Sequence, residues 1–197
     1  MKDLLTNSNL QEREMELWNS FRAGNREALN SIFEKYARLL FAYGRNMTRD
    51  QGLISDCIQD IFVELWIKRE SLTAQIISIK YYLIKSVRRR ILRRLATDKR
   101  FLGQTIPADY DGGIEFHIEF NLVRDQISVD HSFQLKNSLA ALSERQQEAI
   151  YLRFYEGMAY VEIASVMNTN VKAVYNLVDR SIASLRKFFK AHPIASE

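Results

Sequence analysis

The sequence predicts an all-α protein in which two small helical domains are joined by a flexible linker. Of its 197 residues, 47% are hydrophobic and 26% are charged, while only 7 are glycine and 2 are proline. This composition is typical of a folded chain and excludes a collagenous, low-complexity or wholly disordered polymer. Apolar residues recur at steps of three and four in two separated blocks, which is the spacing of helices that bury one face.

The first block contains three helical patterns, and the first of them follows Gly24, where Asn25 is suited to cap a helix. Each pattern places its apolar positions on one face, and the third turns its arginines outward. The predicted elements, in chain order, are a helix with apolar positions Leu29, Ile32, Phe33, Tyr36 and Leu40, a break at residues 44–52, a helix with apolar positions from Ile54 to Leu65 that ends near Trp66, a loop at residues 70–78, and a helix from about Ile79 to Leu95.

A long segment without helical period separates the two blocks. Residues 96–129 show no regular apolar spacing, and residues 107–113 within them are acidic and turn-forming. A stretch of that length without its own structure is typical of a linker. The helical pattern resumes at Leu135, and Ser143 with Gln146 has the spacing of a capping box at the start of the next helix.

The second block ends in a predicted helix-turn-helix. After Gly157, a helix at residues 160–167 and a helix from 171 to about 189 are separated by three residues, 168–170. Ala164 lets the two helices cross closely, and Asn168 is expected to take a left-handed backbone conformation. The positions expected to face inward are Ile163, Ala164 and Met167 in the first helix and Val171, Val174, Val178, Ile182 and Leu185 in the second.

Charge is segregated along the chain. Residues 80–100 carry nine basic side chains and one acid, whereas residues 97–132 carry seven acids and three bases. The total is only +4, so the distribution of charge is more informative than its sum. The sequence therefore predicts a basic helix followed by an acidic linker.

Several function classes are disfavoured. The single cysteine, Cys57, cannot form an internal disulfide, and the three histidines lack metal-ligand spacing. There is no Gly-rich phosphate loop and no Ser or Cys with a plausible base nearby. No apolar run approaches the roughly 18 residues of a membrane span, and the amino terminus lacks the core of a signal peptide. We expect a cytoplasmic protein that is not an enzyme and has no cofactor, no metal and no small-molecule substrate.

Three polar surfaces are candidate binding sites, with an ordinary solvated face as the alternative for each. The second helix of the helix-turn-helix can present hydrogen-bonding groups to a DNA major groove. The basic helix combines charge for phosphates with tyrosines on which unstacked bases can lie. The residues concerned are Asn170, Lys172, Ala173, Tyr175, Asn176, Asp179 and Arg180 in the helix-turn-helix, Tyr81 and Tyr82 with the arginines in the basic helix, and Asp56, Gln59, Asp60 and Glu64 on the helix before it.

The order of these pieces resembles that of a known family. Residues 56–66 (DCIQDIFVELW) and 82–90 (YLIKSVRRR) are similar to region 2 of bacterial RNA polymerase sigma factors. Residues 142–150 (LSERQQEAI), residues 156–164 (EGMAYVEIA) and the helix that ends at Leu185 are similar to region 4. With only a short spacer between the two regions, the chain resembles the extracytoplasmic-function group, which keeps only those two domains.

The resemblance implies a transcription initiation factor. Residues 1–96 would form region 2, residues 97–131 an acidic linker, and residues 132–197 region 4. Region 2 would bind core RNA polymerase and open the downstream promoter element, while region 4 would read the upstream element. The implied partners are core polymerase and promoter DNA, and the resemblance also suggests an anti-sigma factor.

The resemblance also assigns residues to each task. The implied sites are, for core polymerase, Asp56, Gln59, Asp60 and Glu64; for promoter melting, Leu72, Thr73, Gln75, Ser78, Lys80, Tyr81, Tyr82, Lys85, Arg88 and Arg89; and for the upstream element, Asn170, Lys172, Ala173, Tyr175, Asn176 and Arg180. The chain departs from the family pattern at a few positions. Ala159 stands where a Ser or Thr cap is usual, and Asn168 stands where glycine is usual.

Two other classes share part of the pattern. A DNA-binding regulator of the response-regulator output type would explain the carboxy-terminal helix-turn-helix, but it gives no role to the first half of the chain. A helical interaction protein without DNA contact would explain the helices, but not the segregated charge. Co-purification with core polymerase, followed by promoter-dependent transcription, separates the three.

Overall fold

The computed structural model describes the backbone of residues 2–101 and 129–192 and the side chains of residues 12–97 and 134–192. Every regular element in these ranges is helical. The helices group into two compact units, α1 to α4 and α5 to α8, and residues 45–49, which include the last residue of α2, group with the second unit. Most of the predicted linker at 97–131 lies outside the described residues. The all-α prediction is confirmed.

Four helices form the first unit: α1 (Lys2–Arg22), α2 (Arg26–Arg45), α3 (Gln51–Lys68) and α4 (Ile79–Phe101). The sequence did not predict α1. A single 3₁₀ turn, Arg69–Ser71, follows α3 and leads into the predicted loop. The predicted end of the last helix at Leu95 is wrong, because α4 continues to Phe101.

Side-chain caps begin α2 and α3. Gly24 has a φ of +93°, which favours glycine, and it turns the chain out of α1. Asn25 Oδ1 then accepts hydrogen bonds from the backbone amides of Glu27 at 2.9 Å and Ala28 at 3.2 Å, so the predicted cap is confirmed. Asp50 caps α3 by accepting from the amide of Leu53 at 2.9 Å.

The core of the first unit is built from the predicted apolar stripes and from two residues of α1. Trp18 and Phe21 of α1 are fully buried, and their rings lie 5.2 Å apart. Phe33 departs from its stripe, since 44% of it is exposed, and its ring packs edge to face with Phe62 at a centroid distance of 5.0 Å. Cys57 is buried, as expected for a small apolar side chain. The buried positions of α2, α3 and α4 include Ile32, Tyr36, Leu40, Ile54, Ile58, Ile61, Leu65, Leu83, Ile84, Val87 and Ile91.

The second unit comprises α5 (Val129–Ala140), α6 (Glu144–Ile150), α7 (Tyr160–Val166) and α8 (Val171–Ala191). The capping residues predicted for α6 interact, because Gln146 Oε1 accepts from the Ser143 amide at 3.0 Å. The helix that begins at Glu144 leaves α geometry at a π turn, Tyr151–Tyr155. Gly157, with a φ of +66°, then reverses the chain.

The helix-turn-helix is confirmed in its main features. Asn168 has a φ of +50°, the left-handed conformation predicted for it. Ile163, Ala164 and Met167 are buried where the first helix packs against α8. Val174 and Val178 of α8 are buried as well. Val171 was expected to face inward, but it is exposed.

No helix among residues 2–101 and 129–192 combines the length and the apolar character needed to cross a membrane.

Gly44 allows the close approach of α2 to its neighbours, and its replacement by alanine tests this packing. A Cβ there would lie 2.7 Å from Ile54 Cγ2 and 3.3 Å from Ile91 Cδ1, both buried. Although alanine favours helix, we expect Gly44→Ala to lower the free energy of unfolding by about 1–3 kcal/mol through overpacking. Urea denaturation measures this. As a control, Gly52→Ala, at an exposed position of α3, should change it much less, and equal losses would contradict the packing account.

Candidate polymerase and nucleic-acid interfaces

The four polar residues predicted to bind polymerase all lie on α3 outside the core, but they do not form one equivalent row. Asp56 and Gln59 are exposed and face solvent. Asp60 and Glu64 are ion-paired to Arg90 of α4: Arg90 Nη1 lies 3.2 Å from Asp60 Oδ2, and Nη2 contacts Glu64 Oε2. The structure therefore separates the predicted set into an open pair and a pair that is tied to the basic helix.

Two apolar side chains that sequence reasoning missed lie beside the open pair. Val63 is 59% exposed and Ile67 is 70% exposed. They stand four and eight residues after Gln59, so one side of α3 carries all three. Both residues are apolar but lie outside the buried stripe of α3, and this pattern in the sequence could have indicated exposed apolar side chains. An exposed apolar pair beside polar groups is typical of a protein-binding surface.

The pKa of the Glu64 carboxyl is lowered by its cationic neighbours. The hydrogen bond and charge of Lys68 contribute most to the lowering, and the charge of Arg90 adds to it. A depressed pKa means that the folded state favours the ionised carboxylate. Its stabilising contribution is present above the ordinary pKa of 4.5 and is lost as the pH falls through the folded value.

A polar groove of about 520 Å³ runs between α3 and α4. Asp60 and Glu64 lie on one wall, and arginines of α4 lie on the other. Cations outnumber the two acids, so the groove favours anionic groups. Its basic residues are Lys68, Arg89, Arg90, Arg93 and Arg94.

The loop predicted to melt promoter DNA is held at its start by α1. Trp18 Nε1 donates to the backbone carbonyl of Thr73 at 3.0 Å, and Arg22 Nε donates to that of Leu72 at 2.8 Å. The side chains of Thr73 and Gln75 remain exposed, whereas Leu72 is half-buried.

Ser78 ends this loop and caps α4, since its Oγ accepts from the Tyr81 amide at 3.0 Å. Tyr82 is less available to bases than predicted, because its ring packs against Trp18 at 5.4 Å and burial raises its pKa. Tyr81 is half-buried as well, but its ring contacts the exposed side chain of Lys85, whose Nζ is 5.7 Å from the ring centroid. Of the two tyrosines, Tyr81 is therefore the better candidate for stacking on a base.

Arg88 corrects the prediction that the arginines of this helix all face outward. Only 3% of Arg88 is exposed, whereas Arg89 is exposed. Arg88 lies four residues after Ile84 and three before Ile91, so it shares their buried face. Its side chain cannot reach DNA from this position. Lys80 and Lys85 of the same predicted site are half-buried and exposed, respectively.

The second helix of the helix-turn-helix presents most of its predicted residues to solvent. Lys172, Tyr175, Asn176 and Arg180 are exposed, as is Asp179, and Ala173 is half-buried. Asn170 is different, because it precedes α8 and caps it, with Oδ1 accepting from the Ala173 amide at 2.8 Å. A reading role for Asn170 therefore competes with its capping role.

The missing cap residue of α7 is partly replaced. Ala159 has no side-chain acceptor, but its own amide donates to Glu162 Oε2 at 2.7 Å. This is the reciprocal half of a capping box, and it also puts an acid in the first turn, where the helix dipole favours it.

Two family models match the chain. The model described as Sigma-70 region 2 matches residues 32–101, and the model described as Sigma-70, region 4 matches residues 132–185. Together they cover 124 of the 197 residues. The first match contains α3 and α4, and the second contains the helix-turn-helix up to Leu185.

Similar proteins are also sigma factors. The chain is 22% identical over 162 residues to the ECF RNA polymerase sigma factor SigK of Mycolicibacterium vanbaalenii, covering 82% of this chain and 81% of the relative. It is 23% identical over 166 residues to SigK of Mycobacterium tuberculosis, covering 83% and 87%.

Two solved structures share the fold. One is CnrH in complex with the cytosolic domain of CnrY, with a TM-score of 0.58 at 19% identity, covering 90% of this chain and 97% of that one. The other is the sigma factor RpoE in complex with the anti-sigma factor NepR from Bartonella quintana, with a TM-score of 0.52 at 17% identity, covering 92% and 97%.

A region 2 domain followed by a region 4 domain defines a promoter-directing transcription initiation factor, which is not an enzyme. The chain belongs to the sigma-70 family of bacterial RNA polymerase sigma factors, in the extracytoplasmic-function group. It binds core RNA polymerase and promoter DNA. A response-regulator output domain is excluded, because that class has no counterpart to region 2.

The environment of Glu64 gives a direct test of the α3 surface. Carbon-detected NMR titration should find the pKa of Glu64 below 4.5. Lys68→Met should raise this pKa more than Arg90→Met does, because Lys68 supplies the larger effect. If Glu64 has the same pKa in the parent and in Lys68→Met, the ion pair between Glu64 and Lys68 is contradicted.

Proposed function

We propose that residues 1–96 act as the region 2 domain, residues 97–131 as an acidic linker and residues 132–197 as the region 4 domain. In this division, α3 holds the polymerase, the loop with the start of α4 opens the downstream promoter element, and α8 reads the upstream element. The observation that carries the proposal is the charge pattern. Acids and exposed apolar groups lie on α3, and unburied arginines lie on α4.

Core polymerase binds the exposed side of α3 in this proposal. Asp56 and Gln59 supply polar contacts, and Val63 and Ile67 supply apolar area that would be buried in the complex. Asp60 and Glu64 contribute less directly, since both are engaged by Arg90. The ion pairs orient α3 against α4 and so present the polymerase-binding side.

Charge changes at the open pair test this surface. Asp56→Lys combined with Gln59→Lys should weaken binding to core polymerase by about tenfold or more, which is about 1.4 kcal/mol, through lost and repulsive contacts. Fluorescence titration with labelled protein measures the affinity. Glu34→Lys, on the exposed side of α2, is the matched control and should bind normally. Unchanged affinity of the double variant, at an unchanged melting temperature, would refute the assignment.

The melting element in this proposal is the loop at residues 72–78 together with the start of α4. Trp18 and Arg22 hold the loop backbone through carbonyl groups, and the exposed Gln75 side chain can reach bases, whereas the Thr73 hydroxyl is also hydrogen-bonded to the Gln75 backbone. Tyr81 adds a stacking face, and Lys80, Lys85 and Arg89 add charge for phosphates. Single-stranded bases gain on the order of 1–3 kcal/mol each from such stacking.

Replacing the exposed loop side chains tests the melting element. A variant with Thr73→Gly, Gln75→Gly and Tyr81→Ala should lose reactivity of bubble thymines toward permanganate in the holoenzyme, because captured bases no longer hold the strands apart. Arg88→Met is not a useful substitute, since that side chain is buried. The matched control, Ser71→Gly in the preceding turn, should melt DNA normally. Intact thymine reactivity in the triple variant would show that the melting element lies elsewhere.

Upstream recognition belongs to α8 in this proposal. Lys172 and Arg180 offer charge to phosphates, whereas Tyr175 and Asn176 lie within the first two turns, which enter the major groove first in this motif. The exposed side-chain amide of Asn176 can form a bidentate pair of hydrogen bonds with adenine. The side chain of Asn170 is instead engaged in capping α8.

Binding measurements should distinguish residues that contact phosphates, such as Lys172, from residues that recognise bases, such as Asn176. Lys172→Ala should weaken holoenzyme binding similarly on all upstream sequences and lower the salt slope by about one unit. Asn176→Ala should change the preferred base, with a discrimination loss of roughly 1–3 kcal/mol. Selection from a library randomised only in the upstream element distinguishes them. An Asn176→Ala holoenzyme that selects the parent sequence would contradict the reading role.

An anti-sigma factor is the further partner that we propose. The similar structures are those of CnrH with the cytosolic domain of CnrY and of RpoE with the anti-sigma factor NepR. An inhibitor that covers Val63 and Ile67 would compete directly with core polymerase. We expect both encounters to take place in the bacterial cytoplasm, where polymerase works on DNA.

A further inference from the structure

Three side chains form a column that extends from the π turn to the exposed face of α8. The guanidinium carbon of Arg153 lies 4.8 Å from the centroid of the Tyr160 ring. The Tyr160 ring stacks on Tyr175, with centroids 3.9 Å apart and planes inclined by 18°. Arg153 is held in turn, because its Nη1 donates to the Met158 carbonyl at 2.9 Å. The column is defined here as Arg153, Tyr160 and Tyr175.

The column ends at the surface rather than in the core. Tyr175 remains 53% exposed, although one face of its ring is covered by Tyr160. It is the fifth residue of α8 and shares a side of the helix with Lys172 and Asp179, three before it and four after it. A stack of this kind adds little core burial, but it restricts the ring to one orientation.

A fixed ring on this side of α8 has a defined chemical use. Tyr160 covers one face of the Tyr175 ring, so a ligand can meet only the other face, the ring edge and the hydroxyl. A ring on the side of a helix that enters the major groove presents its edge and its hydroxyl to the base edges, whereas stacking on its open face would require an unstacked base. The major groove contains one apolar group, the 5-methyl of thymine, and apolar side chains recognise it by contact. A ring that is already ordered loses less conformational freedom on binding than a mobile one.

We propose that the edge of Tyr175 contacts the methyl group of a thymine in the upstream promoter element, and that Arg153 and Tyr160 are positioning residues for that ring. The inference rests on the proposed function of α8 as the upstream reader. It adds the base that Tyr175 recognises, and it gives Arg153 and Tyr160, which lie outside α8, an effect on sequence preference.

Replacement of thymine by uracil tests the contact, because it removes only the methyl group. In binding assays with holoenzyme, each thymine of the selected upstream element is replaced in turn. One replacement should weaken binding of the parent by about fourfold, the effect of burying one methyl group. The same replacement should have no effect on Tyr175→Ala or Tyr160→Leu. Tyr175→Phe and Tyr160→Phe keep the rings and should respond like the parent.

Two further variants separate positioning from stability. Tyr155→Leu removes another tyrosine stack of the same unit, that of Tyr151 with Tyr155, and should keep the uracil effect. Arg153→Met leaves both rings of the column in place and should reduce the effect. If Tyr160→Leu is too unstable to assay, Arg153→Met decides, and a full uracil effect in that variant would overturn the positioning role.

The remaining outcomes distinguish this inference from the function on which it rests. If Tyr175→Ala abolishes the uracil effect while a folded Tyr160→Leu retains it, the positioning role is wrong. If no thymine responds in the parent while Asn176→Ala changes the selected sequence, the thymine contact is wrong and α8 still reads the element. If neither Tyr175→Ala nor Asn176→Ala alters selection, the proposed function of α8 fails first.

Discussion

Helix α4 has to bury Leu83, Ile84, Val87 and Ile91 while it carries a dense array of arginines on its remaining surface. Like charges on one helix repel each other, so the array is a cost to the isolated fold. Asp60 and Glu64 of α3 offset part of that cost through Arg90. Arg89, Arg93 and Arg94 line the same groove, and in our proposal they are the groups on which DNA phosphates act. The same helix thus packs region 2 and, in our proposal, supplies its nucleic-acid surface.

The loop at residues 72–78 is held at its start through its backbone rather than through its own side chains. Trp18 and Arg22 bind carbonyl groups of Leu72 and Thr73, and every residue type has a carbonyl. Side chains at residues 73 and 75 are therefore free to differ without loss of the anchor. Region 4 uses a comparable division, since Asn168, Asn170 and Glu162 maintain the backbone of the helix-turn-helix, while Tyr175 and Asn176 remain at the surface.

Local rules were sufficient for much of the fold. The caps at Asn25 and Ser143 and the left-handed Asn168 each depend on a few neighbouring residues, so the sequence predicted them. Helix α1 was missed because its apolar periodicity is weak and Trp18 acquires its hydrogen bond from a loop 55 residues away. The charge of Arg88 predicts an exposed side chain, but its spacing from Ile84 and Ile91 places it on the buried face of α4. The pairing of Asp60 and Glu64 with Arg90 depends on the packing of two helices, which no single helical pattern contains.

The most direct test of the account is transcription by core polymerase from the same bacterium, with and without this protein, on fragmented genomic DNA with the RNA 5′ ends mapped. We expect the protein to co-elute with core polymerase. We also expect new 5′ ends that share an upstream block and a downstream block at constant spacing. The downstream block should be open to permanganate only when the protein is present. Failure to co-elute, or 5′ ends identical to those made by core polymerase alone, would contradict the central claim that this chain directs polymerase to promoters.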